Sequence, residues 1–102
     1  MNINIRHAGI FKFKTNVTDQ EKQAFFTALK NLEQLEGVQK MEISKQISTK
    51  NAFEYGFSME FANDDVYEAY NIHPQHDAFV KNYWLKYVED FMEIDTVQMN
   101  IL

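Results

Sequence analysis

Proton-transfer chemistry in this sequence rests on four side chains: His7 near the start, and Tyr70, His73 and His76 within "AYNIHPQHDAF". A neutral imidazole can remove a proton alpha to a carbonyl near pH 7, and a phenol can donate a hydrogen bond to the enolate that forms. Each residue also fits a plainer role. His73 directly precedes Pro74 and can cap the helix that follows. His76 falls in that helix's first turn, where the dipole favours a neutral ring, and Tyr70 sits on an apolar helical stripe. His7, His73 and His76 together could offer a three-histidine metal set. The HxxH spacing is common, however, and the intervening proline turns the two side chains in directions the sequence does not fix, so no metal site is assigned. The acidic "NDD" at 63–65 reads as a helix cap. Without cysteine, the chain has no thiolate nucleophile, cysteine metal cage or disulfide. Nothing in the sequence calls for a cofactor.

Alternation supplies the element that carries His7. Ile3, Ile5, His7, Gly9, Phe11 and Phe13 share one face and Arg6, Lys12 and Lys14 the other, which predicts a half-buried strand. Thr18 and Glu21 stand at capping-box spacing, and Phe25, Leu29, Leu32 and Leu35 recur at helical period, so a helix is predicted over 19–36 with Gly37 as its left-handed stop. Met41, Ile43 and Ile47, then Phe53, Tyr55, Phe57, Met59 and Phe61, alternate with polar residues on either side of "STKN". They predict a hairpin of two amphipathic strands.

Asn63 caps a short helix whose Asp64 and Asp65 suit the positive end of its dipole. That helix must stop near His73, because a residue before proline is pushed out of helical geometry, and Pro74 is suited to open the next one. Phe79, Val80, Tyr83, Trp84 and Tyr87 form the second helix's stripe. Met92 and Ile94, then Val97, Met99 and Ile101, predict a closing strand with a change of face along "FMEIDTVQMNIL". Asp95 on that strand could orient a histidine or pair with a surface charge.

The order β-α-β-β-α-β, its second helical segment broken in two, is the ferredoxin-like arrangement. It is an α+β fold with an antiparallel sheet and helices on one face, over a single domain at 1–102. Ala8 and Ile10 add apolar groups to the uncovered face, so a homodimer packed sheet to sheet is expected. With ten Lys and Arg scattered against fifteen Asp and Glu, for a net charge of -5, nucleic acid is excluded as a partner. No stretch reaches membrane-spanning length and the N-terminus lacks a signal-peptide core, so a soluble, cytoplasmic protein with no membrane partner is expected.

The segments "IRHAGIFKFK", "EYGFSMEF", "AYNIHPQHDAF" and "VEDFMEID" resemble the stress-responsive A/B barrel domain, or Dabb, over nearly the whole chain. The combination of a strand-borne His7, a tyrosine before HPxH and a late aspartate is more specific than any one of them. The resemblance implies a dimeric α/β barrel and no single reaction. It is also similar to plant polyketide cyclases of the olivetolic acid cyclase type, in which a tyrosine and the second histidine of HPxH serve an aldol-type ring closure. Matched by motif, those are Tyr70 and His76, with His7 and His73 in the same pocket and Phe25 and Phe26 as paired aromatics lining it. Leu29 stands where that branch has a further aromatic, which alters the pocket's shape.

Two functions of different class follow. One is a non-catalytic homodimer, either binding a small apolar or aromatic ligand or stress-protective, in which the same residues stabilise the helix junction and the pocket. The other is an acid/base enzyme, with His76, Tyr70 and His7 acting on a small carbonyl or aromatic compound. An enclosed, reachable cavity with His76 and Tyr70 directed into it favours the second, whereas those side chains packed and fully paired, with no cavity between sheet and helices, are what a purely structural role predicts.

Overall fold

The structure is a computed structural model that describes residues 4–101; Ile3, assigned above to the first strand, lies outside them. Strand β1 (Ile5–Phe13) leads into α1 (Asp19–Asn31), and β2 (Gln39–Lys45) and β3 (Tyr55–Phe61) form the hairpin. Helices α2 (Asp64–Asn71) and α3 (Pro74–Phe79) follow. A π-helical turn (Val80–Trp84) and a last short helix, α4 (Leu85–Tyr87), then lead into β4 (Val88–Val97). The four strands form one sheet in the order β2-β3-β1-β4, and every neighbouring pair is antiparallel. This is the ferredoxin-like topology.

The capping signals are realised at the atoms. Thr18 and Glu21 make a reciprocal capping box on α1, and Asn63 accepts the Val66 N–H at the start of α2. His73 leaves helical geometry ahead of Pro74 and caps α3, its Nδ1 accepting the Gln75 N–H at 3.0 Å. The α-helix predicted over 19–36 is shorter: it ends at Asn31 and tightens into a 3₁₀ turn over Leu32–Gln34 before Gly37 turns the chain at φ +89°.

The inner face of the sheet carries Phe11 and Phe13 from β1 and Phe57, Met59 and Phe61 from β3. These close on Phe25, Leu29 and Leu32 beneath α1 and on Phe79 and Trp84 beneath the last helical segment. Phe11, Phe25 and Phe61 are wholly buried, and each contributes roughly 1.5–3 kcal/mol relative to an exposed ring. Two strand expectations are corrected. Ile47 follows the last residue of β2 and is almost fully exposed. The closing strand runs from Val88 to Val97 with no irregularity after Asp90, so the apolar pattern changes face while the strand does not. Phe91, Glu93, Asp95 and Val97 pair with the inner residues of β1, and Met92 and Ile94 pair with Ile10 and Ala8 on the open face. Met92 and Ile94 are each about 60% exposed there. Among the described residues no helix is long and apolar enough to cross a membrane.

Candidate acid/base site

Between the inner face of β1, β3 and β4 and the helical segments lies a cavity of about 240 Å³. His7, Tyr67, Tyr70, His76 and Glu93 are among the residues on its wall, which is otherwise largely apolar. That volume falls just under the roughly 300–1,000 Å³ of drug-sized sites and suits a small ligand.

The break at Pro74 sets the geometry of the first pair. Because α2 stops at Asn71 and α3 starts at Pro74, the His76 ring folds back over Tyr70, with 4.4 Å between ring centroids. His76 Nδ1 lies 3.2 Å from the Asn71 carbonyl. A carbonyl only accepts, so Nδ1 carries the hydrogen and Nε2 holds the lone pair. Burial holds the His76 pKa below the usual value, which keeps the ring neutral and basic at pH 7.

Tyr70 is 2% exposed, and its ring packs on Phe61. Burial pushes its phenol well above the ordinary range, so it remains a hydrogen-bond donor. No bond to this hydroxyl is found among the described residues, and none of their buried polar side-chain atoms is without a partner. The hydroxyl is therefore open to the cavity that Tyr70 lines.

The second group spans the sheet. β1 and β4 are in register at His7 and Asp95, and His7 Nδ1 lies 2.6 Å from Asp95 Oδ1. Tyr67, from α2, donates to Asp95 Oδ2 at 2.8 Å, and its oxygen stands 3.0 Å from His7 Nδ1. An ionised carboxylate only accepts, so the hydrogen belongs to His7 Nδ1 and its Nε2 is left for the cavity. Burial and Asp95 together raise the Tyr67 phenol far above its usual value.

The remaining residues assigned from the sequence part company. Leu29 stands on the cavity wall, whereas Phe25, Phe26 and His73 do not line it. Phe25 is one helical turn behind Leu29, sealed among Phe11, Phe13 and Phe79. Phe26 is turned about 100° round α1 and packs on Tyr55, beside a different surface groove with Ile43. His73 spends its Nδ1 on the helix cap. Among the described residues no cluster of three metal-ligating side chains forms.

Sequence reasoning missed Tyr67, Glu93 and the aromatic wall of Phe57, Trp84 and Phe91. Trp84 reaches the wall through the π-helical turn, in which the Leu85 N–H bonds to the Val80 carbonyl. Only the alternation of β3 hinted at Phe57, and β4's register was needed for Phe91 and Glu93.

Residues 5–98 match the family described as the stress responsive A/B barrel domain, Dabb. A Dabb protein of ferredoxin-like fold from Mesorhizobium loti is 41% identical, covering 96% of this chain and 99% of its own, with a TM-score of 0.89. The chain belongs to the Dabb family. At lower identity the likeness is one of fold. The hydroxynitrile lyase of Passiflora edulis superposes with a TM-score of 0.91 at 10% identity, over 100% of this Dabb chain and 99% of its own. A dimeric ferredoxin-like protein of unknown function from Thermobifida fusca gives 0.81 at 18%, over 96% and 93%. No curated protein matches this Dabb chain.

Proposed function

We propose that this Dabb protein binds a small carbonyl or phenolic compound in the cavity and moves a proton on it. The observation that carries the reading is the pairing of a neutral His76, its Nε2 lone pair free, with a Tyr70 hydroxyl that has no bond among the described residues. Both stand on one cavity wall.

In a carbonyl substrate, His76 Nε2 takes the alpha proton. The C–H bond breaks, the N–H bond forms, and the electron pair passes to the carbonyl oxygen, where the Tyr70 hydroxyl donates to the developing enolate. His7, held by Asp95 and Tyr67, offers a second imidazole nitrogen to the same space. The Passiflora protein of this fold is named as a hydroxynitrile lyase. A plain ligand-binding role uses the same cavity without the transfer.

The working form proposed is a cytoplasmic homodimer, with Ile10, Met92 and Ile94 covered sheet to sheet. Support comes from the exposure of Met92 and Ile94 and from the dimers described for proteins of this fold. The chemistry is tested by proton NMR of acetophenone and acetoacetate in deuterated buffer. Protein-dependent loss of the alpha-proton signal that disappears in His76→Ala supports the transfer. Binding without exchange reduces the function to ligand capture.

A further inference from the structure

Glu93 has no part in the proton transfer, yet it stands on the cavity wall. On the inner face of the sheet the rung through Gly9 joins Phe57 of β3 to Glu93 of β4. The Phe57 ring lies over Gly9, so close that a Cβ there would meet it at 2.5 Å. Phe57 meets Trp84 edge to face at 5.8 Å, and Trp84 meets Phe91 at 5.3 Å. Three aromatic rings and a carboxylate thus share the cavity wall.

Glu93 is exposed, and no cation among the described residues pairs with its carboxylate. Glu93 makes none of their ion pairs: Lys12 holds Glu89, Lys81 holds Asp77, and Asp95, the next inner residue of β4, is taken by His7 and Tyr67. The wall contains no Lys or Arg, and the field of Glu93 reaches Tyr67, Tyr70 and His76. A carboxylate beside aromatic faces is the environment that holds an ammonium group, through an ion pair and cation–π attraction together.

We propose that Glu93 selects the ligand, and that the ligand is a small aromatic compound bearing a protonated amine as well as the oxygen that meets Tyr70 and His76. The proposal rests on the cavity being the ligand site, as argued above, and adds the charge of the compound it takes.

The test uses three phenols that differ in charge: tyramine, 4-ethylphenol and 4-hydroxyphenylacetate. Affinities are measured by calorimetry, and the site is identified by shifts of the His76 ring signals. Wild type should prefer tyramine to 4-ethylphenol by about fivefold, the size of a partly exposed ion pair, and bind the acetate most weakly. Glu93→Gln should lose the preference for tyramine while keeping its affinity for 4-ethylphenol, and Glu93→Lys should favour the acetate. If 4-ethylphenol binds beside His76 but tyramine gains nothing, or its gain survives in Glu93→Gln, the assignment of Glu93 is overturned and the cavity reading stands. If none of the three shifts His76, both are overturned. Circular dichroism of each variant confirms that the comparison is between folded proteins.

Discussion

The His76 ring lies 4.4 Å from the Tyr70 ring across the helix break at Pro74, with Nδ1 directed to the Asn71 carbonyl. One short segment thereby fixes three things: the position of the His76 imidazole, its tautomer, and the phenol beside it. Proline is the cause, because it ends α2 and starts α3 within a few residues, so that the first turn of the new helix packs against the last turn of the old.

His76 couples this site to pH. Its pKa is lowered by burial, so the unfolded chain takes up a proton near histidine's ordinary value of about 6.5 while the folded chain resists it. The stability from keeping this ring neutral is fully present above about pH 6.5 and is lost as pH falls toward the lower folded value. Thermal melts between pH 7.5 and 5 should therefore show a decline that is smaller in His76→Gln. A catalysed exchange that depends on neutral His76 should be flat above pH 7 and fall only below 6.5.

Tyr70→Phe separates chemistry from packing. The ring is core but the hydroxyl has no bond among the described residues, so the melting temperature should correspond to a stability change within about 0.5 kcal/mol. Exchange activity should drop by roughly a hundredfold or more, as when an oxyanion donor is removed.

Removing the Tyr67 hydroxyl acts on the second group. Tyr67→Phe takes one donor from Asp95 and should cost about 1 kcal/mol of stability. Asp95→Asn replaces one of the two carboxylate oxygens that accept from His7 and Tyr67 with an amide donor, so the His7 hydrogen is held less strictly at Nδ1 and nitrogen-15 spectra should show a mixture of tautomers.

Gly9→Ala should damage the aromatic wall. Its Cβ would meet the Phe57 ring at 2.5 Å, and the displaced ring should cost about 1–3 kcal/mol. Denaturant melts measure the loss, and 4-ethylphenol affinity should fall with it.

On the open face, Ile94→Asp should yield a monomer in sedimentation experiments with its helix and strand content retained, because Ile94 is largely exposed in the single chain.

How much of this was legible in the sequence follows the range of the interactions. Thr18, Asn63, His73 and Pro74 act within three residues, and their caps and breaks could be read directly. Period-two alternation gave β1 and β3 for the same reason. Residues 7 and 95 meet through strand pairing, and only the register of β4 decides that Asp95 rather than Ile94 shares the inner face with His7. The placements of Phe25 and Phe26 needed the rotation of α1 over the sheet, and Trp84 needed a π-helical turn that periodicity does not announce. Tyr67 looked like any residue of an amphipathic helix until Asp95 was beside it.

Nitrogen-15 spectra of histidine-labelled protein at pH 7, recorded with and without 4-ethylphenol, test the proton-transfer site most directly. A neutral His76 protonated at Nδ1, with an Nε2 signal that moves when the phenol binds and a weaker response in Tyr70→Phe, is the predicted result. An Nε2–H tautomer or a charged ring, or an Nε2 signal that no phenol or β-keto compound moves while His76→Ala only lowers the melting temperature, would contradict it and leave the HPQH segment a helix junction.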